Sequence, residues 1–283
     1  MNPDPIVIIP VHRPSPTDAE RLAIAQCSHV FARRQMAFLA PHSLDLAPYL
    51  ALAPKASACR VDDRWMNSLA SYNAMVTSGA VFAALDGRSH FHSHVLIHEP
   101  DALVVFDRLD DWCARPIDYI GAPWFPVGET DPAKIHPYAV GNSGLSLFRL
   151  EAVRAALSSS ARWYGARECV KDLAGGDFKR FLRGLGEAGA IQGAWKIYKA
   201  NCDIFWSLVV PSRVPGFRVA SIAEALAFSW EAEPRKCHDL SGGALPMGFH
   251  AWRRYDESFI LSLLAAQTLD LAPELRAAIA ARS

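Results

Sequence analysis

Residues 6–41 read IVIIPVHRPSPTDAERLAIAQCSHVFARRQMAFLAP, and the order of signals in this stretch decides the fold. It opens with four β-branched residues closed by Pro10, the composition of a short buried strand. Ser15 can cap a helix, and Pro16 can take the first helical position, where its missing N–H breaks no bond. Ala19, Ala23, Cys27, Val30 and Phe31 then recur at helical spacing. Residues 35–40 make a second apolar run before Pro41 interrupts it. Strand, helix, strand in that order predicts a βαβ unit, and with it a parallel sheet.

Further along the chain, helical patterns return over 44–52 and 71–85, with a short strand expected at 59–61 between them. Residues 95–97 are a strand core, followed by Glu99-Pro100-Asp101 and a second apolar run over 102–106. Acidic residues therefore stand where a strand ends, and in open α/β sheets the carboxyl ends of strands form the ligand crevice. A helix is expected over 109–113. Tyr119-Ile120 and Gly121-Ala122-Pro123-Trp124 then lead through a polar loop to 140–148, where glycines flank a strand-like alternation and allow close backbone approach. Residues 158–200 carry the least readable pattern and are expected to be an insertion or helical subdomain. Apolar helices close the chain over 258–271 and 275–281. The predicted fold is α/β, a Rossmann-like mixed sheet flanked by helices, in a single domain over 1–283 with that helical insertion.

The composition narrows the function. With 283 residues and 51% apolar content the chain can bury a large core, which excludes disorder as its main state. Lys plus Arg and Asp plus Glu both number 29, so there is no net charge to attract nucleic acid or anionic membranes. No apolar run approaches the roughly 20 residues of a membrane span. The opening MNPDPIVIIPVH lacks a basic flank or a cleavage site, so the mature protein is expected to begin near residue 1, in the cytoplasm. The six cysteines form no C-x-x-C pair and read as reduced, mostly buried small hydrophobes. No P-loop and no G-x-S-x-G elbow occurs.

Chemistry can be carried at four places. Glu99 and Asp101 suit a hard divalent cation shared with substrate phosphates, or Asp101 simply caps a turn after Pro100. His90, His92, His94 and His98 share one face of an extended strand. His94, His98 and Asp101 could thus form a zinc hydrolase cluster, while His90 and His92 fit a solvent-facing loop. Asp203 opens an apolar helical turn, as a cap or as a general base. His250 sits between aromatics after a Gly-rich turn, as a core residue or as a ligand.

VIIPVHRP, LIHEPDALVVFD with the following WC, DYIGAPW, GNSGLSLFR, CDIFW, FSWE and LPMGFHAW occur in this order over about residues 6–254. Together they resemble a poorly characterised family of glycosyltransferase-like proteins of the GT-A type. The resemblance implies a nucleotide-sugar-binding half over about 1–110 and an acceptor-binding half over about 111–254, followed by C-terminal helices over 255–283. It implies Mn²⁺ or Mg²⁺ on the nucleotide diphosphate, a glycan or other hydroxyl acceptor, and a place in polysaccharide biosynthesis. Asp101 falls on the acidic position of the metal motif and His250 where many GT-A enzymes supply a histidine. Where this chain has Glu99 the family more often carries an amide, so Glu99 is expected as a third ligand or as support behind the other two. The Cys202-Asp203-Ile204 segment is similar to the Glu-Asp-Val element of Fringe-like inverting enzymes, which implies Asp203 as base. His12 and Arg13 are expected at the nucleotide, Asn142 and Gly144 near the donor sugar or acceptor, and Trp124 and Trp252 as aromatic faces for sugar C–H groups. The rival readings are the zinc hydrolase and a non-catalytic nucleotide- or carbohydrate-binding protein on the same fold.

Overall fold

The structure is a computed structural model that describes residues 4–86, 92–131, 133–159 and 201–282. The expected insertion over 158–200 therefore lies outside the described residues except for Ser158 and Ser159, and His90 lies outside them as well.

A six-stranded sheet organises the chain. Strands β1 (Pro5–Pro10), β2 (Gln35–Pro41), β3 (Ser57–Val61) and β4 (His94–His98) run parallel in the order β3-β2-β1-β4. Of the other strands, β5 is Leu103–Val104, β6 Tyr119–Ile120, β7 Ala122–Trp124, β8 Ala139–Gly141 and β9 Leu145–Arg149. β9 pairs antiparallel with β4 and with β6, so the sheet is mixed, as expected. β7 and β8 form a separate two-stranded ribbon. β10 (Ser229–Trp230), β11 (Gly248–Phe249) and β5 make a small third sheet.

All six residues of β1 are buried, which is why this strand reads as a continuous apolar run instead of an alternating one. Val7 and Ile9 pack with Ile24 and Cys27 of helix α1 (Asp18–Val30) on one face, while Ile6 and Ile8 pack with Val76, Phe82 and Trp206 on the other. A third apolar cluster joins Leu103, Trp230, Phe249 and Trp252 to the C-terminal helices Glu257–Ala265 and Pro273–Ala280.

Several local expectations are corrected. Helix α1 is capped by Thr17, not by Ser15 with Pro16 at its first position. Glu20 stands three residues after Thr17 and closes a capping box, which satisfies two amides at once. The helix expected over 71–85 is two helices, Leu69–Ser78 and Ala80–Asp86, because Gly79 adopts a left-handed φ of 83° between them. The helix expected over 258–271 ends at Ala265. His92 is buried and not solvent-facing: mutual bonds between Asp4 and Ser93 fasten the N-terminal segment over the start of β4, leaving His92 Nδ1 3.3 Å from Asp4.

The five described cysteines are free and buried. No described helix is long and apolar enough to cross a membrane.

Candidate metal centre

The register of the small sheet assembles the site. Trp230 pairs with Phe249 and Phe249 with Leu103, so the residues just beyond them, Glu231, His250 and the Glu99–Asp101 turn, come together at one end. The turn is held on both sides. Glu99 N–H donates to the Gly144 carbonyl at 2.7 Å, and Ala102 N–H donates back to the Glu99 carbonyl at 2.9 Å. His250 N–H donates to the Trp230 carbonyl at 2.8 Å.

Glu99, Asp101 and His250 each offer a ligand atom, and these atoms lie within 4.8 Å of one another. His250 Nε2 is 3.4 Å from Asp101 Oδ1 and 3.6 Å from Glu99 Oε2. It is buried and has no hydrogen-bond partner among the described residues. A buried, orphaned imidazole nitrogen facing two carboxylates is a donor set suited to Mn²⁺, Mg²⁺ or Zn²⁺, and the residues present fit a divalent cation.

The electrostatics agree. Burial alone would push His250 down, yet the Asp101, Glu231 and Glu99 carboxylates outweigh it and hold the ring well above the ordinary histidine value. Burial would raise Asp101, but contact with His250 brings it below the usual carboxylate range. The site is built to favour positive charge.

Asn142 takes an unusual role. Its backbone has a left-handed φ of 98°, and its carbonyl accepts from the buried Tyr119 hydroxyl at 2.7 Å. Its Oδ1 accepts from Gly144 N–H at 2.6 Å, while its Nδ2 donates to Glu231 Oε2 at 2.7 Å and lies 2.8 Å from His250 Nδ1. This side chain is fully engaged by protein groups, so Asn142 braces the site and does not reach into open space.

A cavity of about 490 Å³ opens beside the cluster at the ends of β1 and β4, lined by His12, Arg13, Tyr49, Tyr72, Glu99 and Asp101. The Tyr72 hydroxyl is buried there without a hydrogen-bond partner among the described residues. Burial and the charge of Glu99 keep its phenol well above the ordinary tyrosine value. Arg13 is anchored by Glu20 at 3.2 Å.

The family model described as a protein of unknown function, DUF5672, matches residues 55–250. The chain belongs to the DUF5672 family. No curated protein matches this DUF5672 chain. Among solved structures it is similar to the galactosyltransferase LgtC in complex with donor and acceptor sugar analogues, at 13% identity, covering 96% of this chain and 99% of that one with a TM-score of 0.48. It is also similar to mouse xyloside xylosyltransferase 1 in apo form, at 10% identity, 86% and 96% coverage and a TM-score of 0.44. Core-mannan synthase A from Aspergillus fumigatus, in its Mn/GDP form, matches at 9% identity, 78% and 73% coverage and a TM-score of 0.41.

The remaining site candidates of the DUF5672 chain fall as follows. Asp203 lies in a short helix, Cys202–Ile204, whose N-cap is Asn201, so Asp203 is not the cap. Asn73 fixes this helix by accepting from Cys202 N–H at 2.9 Å. Burial, with the charges of Glu231 and Glu99 close by, raises the Asp203 carboxyl despite a bond from Ile204 N–H. Gly144 is not open to a ligand, since His250 stands over it. Trp252 is buried in the C-terminal cluster and presents no free face. The hydrolase cluster does not assemble. His94 and His98 occupy opposite ends of β4, about 13 Å apart at the usual strand rise, and among the described residues neither belongs to the group of converging ligands. His98 is wholly buried, which pushes it down to about 4.

Glu231 was not singled out by sequence reasoning, although it ends the FSWE motif. Its Oε1 lies 3.2 Å from His250 Nδ1.

Proposed function

We propose that this protein is a metal-dependent glycosyltransferase that moves a sugar from a nucleotide-sugar donor to a glycan or other hydroxyl acceptor, with inversion. The observation that carries this reading is the convergence of His250 on Glu99 and Asp101, two carboxylates that line the same cavity as His12, Arg13 and Tyr72. The nucleotide-sugar part of it rests on the motif resemblance over residues 6–254.

Asp101, His250 and Glu99 would hold Mn²⁺ or Mg²⁺. Such an ion neutralises the charge that develops on a diphosphate leaving group, which a chain without net charge cannot do by overall potential. His12 and Arg13 bind the nucleotide at the end of β1, and the Tyr72 hydroxyl supplies a donor from the cavity wall. Asp203 takes the proton of the acceptor hydroxyl; its burial and its acidic neighbours favour that proton's transfer.

A thermal-shift screen of nucleotide sugars with and without Mn²⁺ tests the reading. A ligand binding only the native state stabilises by about 2.7 kcal/mol at about 100 times its Kd. Stabilisation by a nucleoside diphosphate sugar that requires the metal supports a transferase. Stabilisation by Zn²⁺ alone, with no nucleotide effect, overturns it.

A further inference from the structure

The Nδ1 edge of His250 faces two partners of opposite character. Asn142 Nδ2, at 2.8 Å, is a donor; Glu231 Oε1, at 3.2 Å, is an acceptor when ionised. The orientation of the Asn142 amide is fixed from both ends, because Oδ1 takes the Gly144 N–H and Nδ2 holds the second oxygen of Glu231. Asn142 is 2% exposed, and the Glu231 side chain is 20% exposed, so neither partner is readily replaced by bulk water.

A neutral imidazole carries one ring proton. When it sits on Nε2, Nδ1 is bare and suits the Asn142 amide. A metal at Nε2 needs the reverse, with Nε2 bare and the proton on Nδ1, and then only Glu231 can accept it. The edge thus has a partner for each tautomer.

We propose that Glu231 is the positioning residue of the metal centre: it accepts the Nδ1–H of His250 in the metal-bound tautomer and so aims Nε2 between Asp101 and Glu99. A metal at Nε2 takes the place of any proton there, which leaves to solvent, and Glu231 accepts the one that stays on Nδ1. This rests on the reading of Glu99, Asp101 and His250 as metal ligands. It makes Asn142 the brace of Glu231, not a ligand for sugar.

Calorimetric titration with Mn²⁺ tests the proposal without any turnover assay. Glu231→Gln keeps the shape of the side chain and a carbonyl for Asn142 but removes the charge. Its Mn²⁺ affinity should fall by about 10- to 100-fold, the usual cost of losing such a partner, while the thermal midpoint without metal stays close to that of the wild type. Imidazole ¹H–¹⁵N spectra of the Mg²⁺-saturated wild type, with His250 assigned from His250→Ala, should show its proton on Nδ1. Equal Mn²⁺ affinity of Glu231→Gln and wild type, with affinity lost in Asp101→Asn, overturns this inference and leaves the metal site standing. A metal-saturated ring with a bare Nδ1 overturns it as well, even where the Gln variant does not fold. A wild type that binds no Mn²⁺ overturns both readings together.

Discussion

The imidazole of His250 lies in the space that a β-carbon on residue 144 would occupy. Glycine at 144 is thus explained by a neighbouring side chain 106 residues further along the chain, since the ring could not otherwise lie beside the Glu99–Asp101 turn. Gly144→Ala should displace the ring and lower Mn²⁺ affinity by about 10-fold or more, at an overpacking cost of about 1–3 kcal/mol. Calorimetry beside thermal melting measures both, and unchanged metal affinity would contradict the placement of His250.

Asp203→Asn separates chemistry from binding. The amide keeps the shape and the bond from Ile204 N–H but cannot accept the acceptor's proton, so turnover should fall by about 100-fold or more. Donor affinity should be retained. Near-normal transfer rates would place the base elsewhere.

Tyr72→Phe discriminates between a ligand contact and a packing role. The hydroxyl is buried against the cavity without a protein partner among the described residues. Removing an unsatisfied group should cost no stability. Donor affinity should fall by a few-fold to 10-fold, about the worth of one hydrogen bond. A loss of stability with unchanged donor binding would mean that the phenol serves the fold.

His94 should make the fold sensitive to acid. Burial, aided by the charge of Arg149, lowers it from 6.5 to about 4, with Asp118 opposing. Between those values the unfolded chain binds a proton that the folded chain does not, so stability falls as pH falls from 6.5 to 4. The contribution is at most roughly 3 kcal/mol, at about 1.4 kcal/mol per pH unit. Denaturant titrations across this range should show a flatter profile for His94→Gln than for the wild type.

The sheet was legible where local pattern and burial coincide. The β-branched run of β1 and the apolar run of β2 are covered on both faces, and they announce themselves as strands. The acidic pair was visible because Glu99 and Asp101 follow directly on β4. His250 stood out by its setting between aromatics after a Gly-rich turn, but only the motif resemblance chose ligand over core residue. Glu231 could not be found by spacing, because it meets His250 only through the pairing of β10 with β11, and nothing in a chain read linearly fixes that register. The bonds of the Asn142 amide to Glu231, His250 and Gly144 were not legible, because those partners come together only once β8, β9 and the small sheet are in place. The start of α1 was misjudged because Ser15 and Thr17 are both good caps, and only the partner Glu20 at the right offset distinguishes them.

On the proposed function, Glu99, Asp101 and His250 hold a divalent cation that a nucleotide donor needs in order to bind. Calorimetric titration of UDP and GDP into wild type and Asp101→Ala, each with and without Mn²⁺, tests it most directly. At least one nucleoside diphosphate should bind the wild type tightly only with Mn²⁺, with no metal-dependent gain in the variant. Equal affinity of the wild type with and without the metal, or an undiminished metal effect in Asp101→Ala, would contradict it.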